Sequence, residues 1–208
     1  MEVIMLRNTI MASDLVGQAA ALCTNSDDWD RSRKGAMASG HMSVTEHASY
    51  SFLIEDVSRV LLAQITRHRI ASFSVQSQRY CGVKLSYVKP HSIEETGWNF
   101  EYAEHMERSF DLYHRMVESG VPEEDARYVI PQGFSCKMVM TMNVRELLHF
   151  FELRCCNRAQ WEIRELADKM LEQCREIEPE LFKNAGPGCV RGKCPEGKMS
   201  CGRPRRDG

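Results

Sequence analysis

Nothing in these 208 residues stays apolar long enough to cross a bilayer, because Arg, His or Glu interrupts each of the best hydrophobic stretches. Nor does the chain open on the charged, apolar, small-residue pattern of a signal peptide. The expectation is a cytoplasmic protein with no membrane role. An excess of one charge is missing too: 27 Lys and Arg face 29 Asp and Glu, a formal net charge of −2. That argues against a surface built throughout for nucleic acid, so any phosphate-binding charge must be local. Internal repeats and low-complexity blocks are absent before residue 185. An even set of cysteines is lacking as well. Nine cysteines without an export signal read as free thiols or a metal site rather than a disulfide framework. Of these, Cys23, Cys136 and Cys174 have apolar neighbours and are expected core fillers.

What is present suffices for one sizeable core, since 43% of the residues are hydrophobic. Ser13 is placed to cap a helix through Leu15, Ala19, Ala20 and Leu22. Ser43, with Glu46 three residues on, matches a capping box for a short helix. The stretch from Ala48 to Ile54 is β-rich, and from Val57 the apolar residues Val57, Val60, Leu61 and Ile65 repeat at the helical period. Continued at about 100° per residue, that helix sets Gln64, Arg67 and His68 on one face and turns Arg69 away. Residues 71–80 read as extended or loop. A helix is expected over Glu101–Ser119, stopped by Gly120. A second starts at Pro122, carries Arg127 and ends at Pro131. Asn143 caps a helix over 144–156, and another follows over 159–177. The fold class is α+β: a mixed or antiparallel sheet from segments near 2–6, 48–56 and 72–88, flanked by helices.

The most informative stretch is residues 67–80, Arg67-His68-Arg69-Ile70-Ala71-Ser72-Phe73-Ser74-Val75-Gln76-Ser77-Gln78-Arg79-Tyr80. Three guanidinium groups so close together would repel one another unless anions sit between them, and each is a planar fork suited to phosphate. Phosphorylated ligands are the expectation. Ser77 invites a nucleophile hypothesis, but a serine hydroxyl needs a neighbouring base, and arginines offer charge stabilisation instead. Binding and polarisation is the preferred role.

These residues resemble the signature of the flavin-dependent thymidylate synthases, Arg-His-Arg followed, after seven residues, by Ser77. The likeness extends to Gly40-His41-Met42-Ser43-Val44-Thr45-Glu46-His47, to Gln64 and Arg127, to Leu147–Arg154 and to Arg158–Glu162, and so covers residues 1–185. It implies the fold of that family, a homotetramer with sites shared between subunits, and a methyltransferase that converts dUMP to dTMP. FAD is the implied cofactor, NADPH the reductant and 5,10-methylenetetrahydrofolate the one-carbon donor. Hydride comes from the reduced flavin, and no covalent enzyme nucleophile takes part. By the same resemblance Gln64, Arg67, Ser77, Arg79, Arg127 and Arg154 bind dUMP, with Arg154 and Ser77 the catalytic pair. His41, Ser43, Arg67, His68, Arg69, His149 and Arg158 contact FAD. Some relatives carry Asn at the position of His149, and some an acid before Ser77 where this chain has Val75-Gln76.

Other readings stand beside these. His47 reads as structural, and His149, inside the apolar run Leu147–Phe151, is by default a hydrogen-bonded core histidine. Cys155 and Cys156 are adjacent, a strained geometry for a disulfide, and read as packing residues. Beyond residue 185 the composition changes to Gly, Pro and Cys, with six Lys or Arg (Arg191, Lys193, Lys198, Arg203, Arg205, Arg206) against two acids. Residues 186–208 form a tail or a small clamp. The spacing of Cys189, Cys194 and Cys201 matches no common zinc pattern, and no metal is expected. Two rival functions remain: a nucleic-acid or zinc-dependent binding module built on this tail and the Arg67–Arg69 cluster, and a flavoprotein that keeps the pocket without methyl transfer.

Overall fold

The computed structural model describes residues 1–82 and 84–205. Strands β1 (Glu2–Asn8), β2 (Ser49–Ser58), β3 (Ala71–Val75) and β4 (Ser135–Asn143) make one sheet in the order β1-β2-β4-β3. The bonds at the strand ends run antiparallel. Thr9 N–H donates to Ser49 O at 3.0 Å, Val144 N–H to Ala48 O at 2.9 Å, Arg59 N–H to Phe134 O at 3.1 Å and Gln76 N–H to Lys137 O at 3.0 Å. The helices are α1 (Ala12–Thr24), α2 (Trp29–Ala38), α3 (Arg59–Ile65), α4 (His91–Glu95) and α5 (Asn99–Glu118), followed by α6 (Glu123–Ala126), α7 (Val144–Arg154), α8 (Trp161–Ile177) and α9 (Pro179–Phe182). The architecture is α+β, with an antiparallel sheet. None of the helices among the described residues is long and apolar enough to cross a membrane.

Strand β4 is the element the sequence did not announce. It alternates strictly, with Cys136, Met138, Met140 and Met142 buried. The period of two is there, but methionine carries none of the β-branched or aromatic signal that marks a strand. Conversely, the expected segment 72–88 is strand only to Val75.

The chain falls into two compact units. One holds residues 1–2, 54–64 and 74–138, with a core of Ile54, Val57, Leu61, Met106, Phe110 and Phe134; the Phe110 and Phe134 rings lie 5.9 Å apart. The other holds residues 3–53, 65–73 and 139 onward. Its core is aromatic: Phe182 meets Tyr50 edge-on at 5.5 Å and Phe151 at 6.1 Å, and Phe150 lies 5.7 Å from Phe151.

Local expectations are corrected at several points. Ser13 caps nothing; its hydroxyl donates to Glu178 Oε2 at 2.5 Å, and α1 starts from Met11 in the left-handed region, φ 53°. Residues Met42–His47 form a 3-10 helix without a side-chain cap, and Glu46 pairs with Arg145 at 2.5 Å instead. Cys23 is exposed, unlike the buried Cys136 and Cys174. Most consequential is α3, which starts only at Arg59, because the strand before it runs on through Ser58, and stops at Ile65. Arg67, His68 and Arg69 therefore lie beyond the helix, and helical angles do not describe them. Burial does: His68 is 5% exposed, whereas Arg67 and Arg69 face solvent.

Candidate active site

Helix α7 supplies the floor of the site. Asn143 is its N-cap, accepting the Glu146 N–H at 2.9 Å, and this fixes the first turn. Positions 146, 149, 150 and 154 then fall on one helical face. His68 packs against that face. Its ring is 5.0 Å from Phe150 and 5.9 Å from His149, and its Nδ1 lies 2.8 Å from Glu146 Oε1. On the other side of the ring, Arg154 Nε–H donates to Nε2 at 3.1 Å. An Nε2 that accepts must lack a proton, so the neutral ring carries its hydrogen on Nδ1 and donates it to Glu146. Burial lowers the His68 pKa, and the Arg154 charge adds to this, against the Glu146 hydrogen bond. The Arg154 pKa is lowered as well, by burial first and then by the charge of Arg67. Two cations thus share this neighbourhood, and neither makes a carboxylate ion pair among the described residues. That is a place for an anion.

His149 is exposed rather than a core histidine. It lines an open groove of about 610 Å³ with Arg33, Met37, Arg145, Glu152 and Arg191. A second groove in the same unit, about 670 Å³, brings His41 and Ser43 beside Arg31, Ser32 and Ser39 of the α2 region. Arg69 is exposed.

The other unit holds Gln64, Ser77, Arg79 and Arg127. Two of these, Arg79 and Arg127, are brought together by a residue the sequence did not flag, Glu124. Its carboxylate accepts from Arg79 Nε at 2.8 Å, and its carbonyl oxygen accepts from Arg127 Nε at 3.0 Å. Ser77 Oγ accepts the Arg79 N–H at 3.0 Å, and Arg79 stacks over Tyr80 with 5.3 Å to the ring centroid. Ser77 also borders a cavity of about 360 Å³ lined by Asp56, Gln76, Lys84 and Lys137. Gln64, in the last turn of α3, is half-buried.

A family model described as thymidylate synthase complementing protein matches residues 5–180. Over 221 residues, spanning 98% of this chain and 94% of the relative, the sequence is 45% identical to the flavin-dependent thymidylate synthase of Geobacter sulfurreducens. The chain belongs to the flavin-dependent thymidylate synthase family. The enzyme of that name from Nitratidesulfovibrio vulgaris is 46% identical over 195 residues, 86% of this chain and 80% of the relative. The Helicobacter pylori flavin-dependent thymidylate synthase, solved in complex with FAD and dUMP, superposes with a TM-score of 0.72 at 25% identity. It covers 89% of this chain and all of its own.

Within this synthase fold, two residues were missed by sequence reasoning. Glu124 lies in an acidic run that reads as a helix N-terminus. Glu146 had a signal: Asn143 with Glu three positions on has the form of a capping box, yet its carboxylate turns to His68.

The tail is a clamp in its described part. Arg205 Nη1 donates to Asp168 Oδ1 at 2.7 Å and to Cys155 O at 2.6 Å, and Arg191 donates to Glu152 at 3.1 Å. Asn157 Nδ2 donates to Arg203 O at 2.7 Å, and Arg158 donates to Met199 O. Arg158 is thus engaged by the tail. Cys189 is buried and Cys201 exposed, and among the described residues no group of three or more His, Cys, Asp or Glu side chains is placed to hold a metal. Arg206 lies outside the described residues.

Proposed function

We propose that this chain is a thymidylate synthase that methylates dUMP to dTMP, with FAD as cofactor, NADPH as reductant and 5,10-methylenetetrahydrofolate as the one-carbon donor. The observation that carries the reading is Arg154, pinned through Nε to His68 beside Arg67, its terminal amino groups without a carboxylate among the described residues. Such a fork suits a nucleotide anion. The donor set fits FAD as well, whose two phosphates need cationic and N–H or O–H partners: Arg67 and Arg69 are exposed guanidiniums, and His41 and Ser43 open on one groove.

In this reading Gln64, Arg67, Ser77, Arg79, Arg127 and Arg154 hold dUMP, while His41, Ser43, Arg67, His68, Arg69, His149 and Arg158 hold FAD. The chemistry FAD supplies when bound is hydride transfer between NADPH and the pyrimidine. The protein orients the reactants. Arg154 stabilises negative charge developing on the pyrimidine oxygens, a preorganised electrostatic contribution that is often the largest in catalysis. His68, neutral and with both ring nitrogens engaged, serves as a hydrogen-bonding relay of orientation rather than a proton donor. Ser77 contributes a hydroxyl contact, and no side chain forms a covalent bond to the nucleotide.

The working unit is a homotetramer. Apolar side chains left in water support it: Ile4 and Leu6 on β1 are 41% and 52% exposed, and Ile10 and Leu22 more than 80%. Residues 1–185 make the synthase domain and residues 186–208 an appendage.

The test is the visible absorbance spectrum of the purified protein with FAD, followed anaerobically on adding NADPH and then dUMP with methylenetetrahydrofolate. Flavin bands that bleach and then return as dTMP forms are expected; no flavin binding sinks the reading, and bleaching without dTMP restricts it to a flavoprotein.

A further inference from the structure

Glu146 is 7% exposed and His68 5%, so a carboxylate and an imidazole face each other almost entirely out of water. Burying a carboxylate is costly, and it is tolerated where the geometry serves a purpose. The local alternative was available. At the third position of a helix capped by Asn143, a glutamate ordinarily reaches back to the N-cap N–H. Glu146 forgoes that and accepts from His68, 78 positions earlier in the chain, at 2.8 Å.

The consequence runs through the ring. With the proton held on Nδ1 by Glu146, Nε2 keeps a lone pair, and that lone pair accepts from Arg154 Nε at 3.1 Å. In the other tautomer an N–H would confront the Arg154 N–H, and the guanidinium would have to leave. The remaining neighbours do not make this choice: Phe150 offers an apolar ring face, His149 meets the ring edge-on at 5.9 Å, and the Arg67 charge acts on Arg154 rather than on the ring.

We propose that Glu146 is a positioning residue for the nucleotide: it locks His68 in the Nδ1–H form, and His68 then holds the Arg154 guanidinium with its two terminal amino groups left for an anionic ligand. The inference rests on Arg154 being a dUMP ligand, as proposed above, and it adds a residue remote from the signature to the binding machinery. Glu146 touches no ligand and acts only through His68.

The experiment has one arm with ligand and one without. dUMP affinity is measured by equilibrium dialysis on the FAD-loaded protein for wild type, Glu146→Leu, Glu146→Gln, Arg154→Ala and the double variant Glu146→Leu/Arg154→Ala. The expected loss for Glu146→Leu is roughly tenfold, the scale of one charge-assisted hydrogen bond. Glu146→Gln, whose amide oxygen still accepts from Nδ1–H, restores most of it, and in the Arg154→Ala background Glu146→Leu has no further effect. An equal loss in both backgrounds overturns the proposal. In the second arm, ¹⁵N shifts of the histidine rings in the ligand-free protein report the tautomer: Nδ1–H at His68 in wild type and Glu146→Gln, and not in Glu146→Leu. An Nε2–H ring in wild type overturns the proposal whatever the affinities. Should wild type bind no dUMP, the nucleotide reading fails and the tautomer arm still decides what Glu146 does. If Glu146→Leu does not fold, Glu146→Asp, which withdraws the acceptor by one methylene, carries the same expectations.

Discussion

Arg79 and Glu124 are joined by two short contacts, Nε to Oε2 at 2.8 Å and Nη2 to the same oxygen at 2.7 Å, on side chains that are each about half exposed. So exposed a pair adds little to stability, on the order of 1 kcal/mol or less. What it fixes is the position of the Arg79 guanidinium. Arg79→Ala should raise the KM for dUMP roughly tenfold or more while shifting stability by under about 1 kcal/mol and sparing FAD binding. Arg69→Ala should weaken FAD and leave dUMP alone. Titrating both ligands against both variants checks this division of labour; equal losses of both ligands in both proteins would refute it.

The lowered pKa of His68 fixes a pH dependence of stability. The unfolded chain takes up this proton near the ordinary histidine value of about 6.5, at a higher pH than the folded protein does. Below that value the unfolded state binds more protons, so stability falls as acid is added and rises with pH; above it the contribution is flat. Thermal unfolding of wild type and His68→Gln across this range isolates the term, because the other histidines cancel in the difference. Wild type should lose Tm on acidification more steeply than the variant.

Thiol reactivity should sort by burial. Cys155 and Cys174 have pKa values pushed well up, both by burial first, and Cys155 also by the Asp168 carboxylate. A short iodoacetamide pulse on the native protein should label Cys23, Cys81 and Cys201 and leave Cys136, Cys155 and Cys174 untouched until unfolding. Peptide mapping by mass spectrometry reads the result, and early labelling of Cys155 would contradict the packing described.

Tyr50 is fully buried, and its hydroxyl has no hydrogen-bond partner among the described residues. An unmet polar group in a core costs about 1–3 kcal/mol. Tyr50→Phe keeps the edge-on contact with Phe182 and removes the hydroxyl, so Tm should hold or rise. A clear fall in urea midpoint would mean that the hydroxyl is satisfied in solution.

The Arg205 side chain spans Asp168 and the carbonyl of Cys155. Arg205→Ala should cost about 1–2 kcal/mol, judged from hydrogen bonds between charged groups at a partly exposed site. Deleting residues 187–208 should lower Tm further and still leave turnover when FAD is saturating. A truncated protein that folds but never turns over would place the tail in the site itself.

How far the sequence reached can be seen residue by residue. Asn143 as a cap, the helices that became α5, α7 and α8, and the strands β1 and β2 followed from local chemistry. β4 did not, because its buried side is methionine. The extent of α3 did not either: hydrophobic spacing alone could not show that the preceding strand would claim residues up to Ser58, or that the helix would stop at Ile65 and leave Arg67–Arg69 beyond it.

By itself the sequence determined the chemistry available: clustered guanidiniums that demand anions, a family signature, free thiols and no membrane-spanning run. Only the tertiary structure decided which of those groups are engaged. It paired Arg79 with Glu124, gave His149 to solvent instead of the core, tied Arg158 to the tail, and set Glu146 against His68 across 78 positions. Hydrogen-bond partners so far apart are chosen by how strands and helices pack, and no local pattern encodes them.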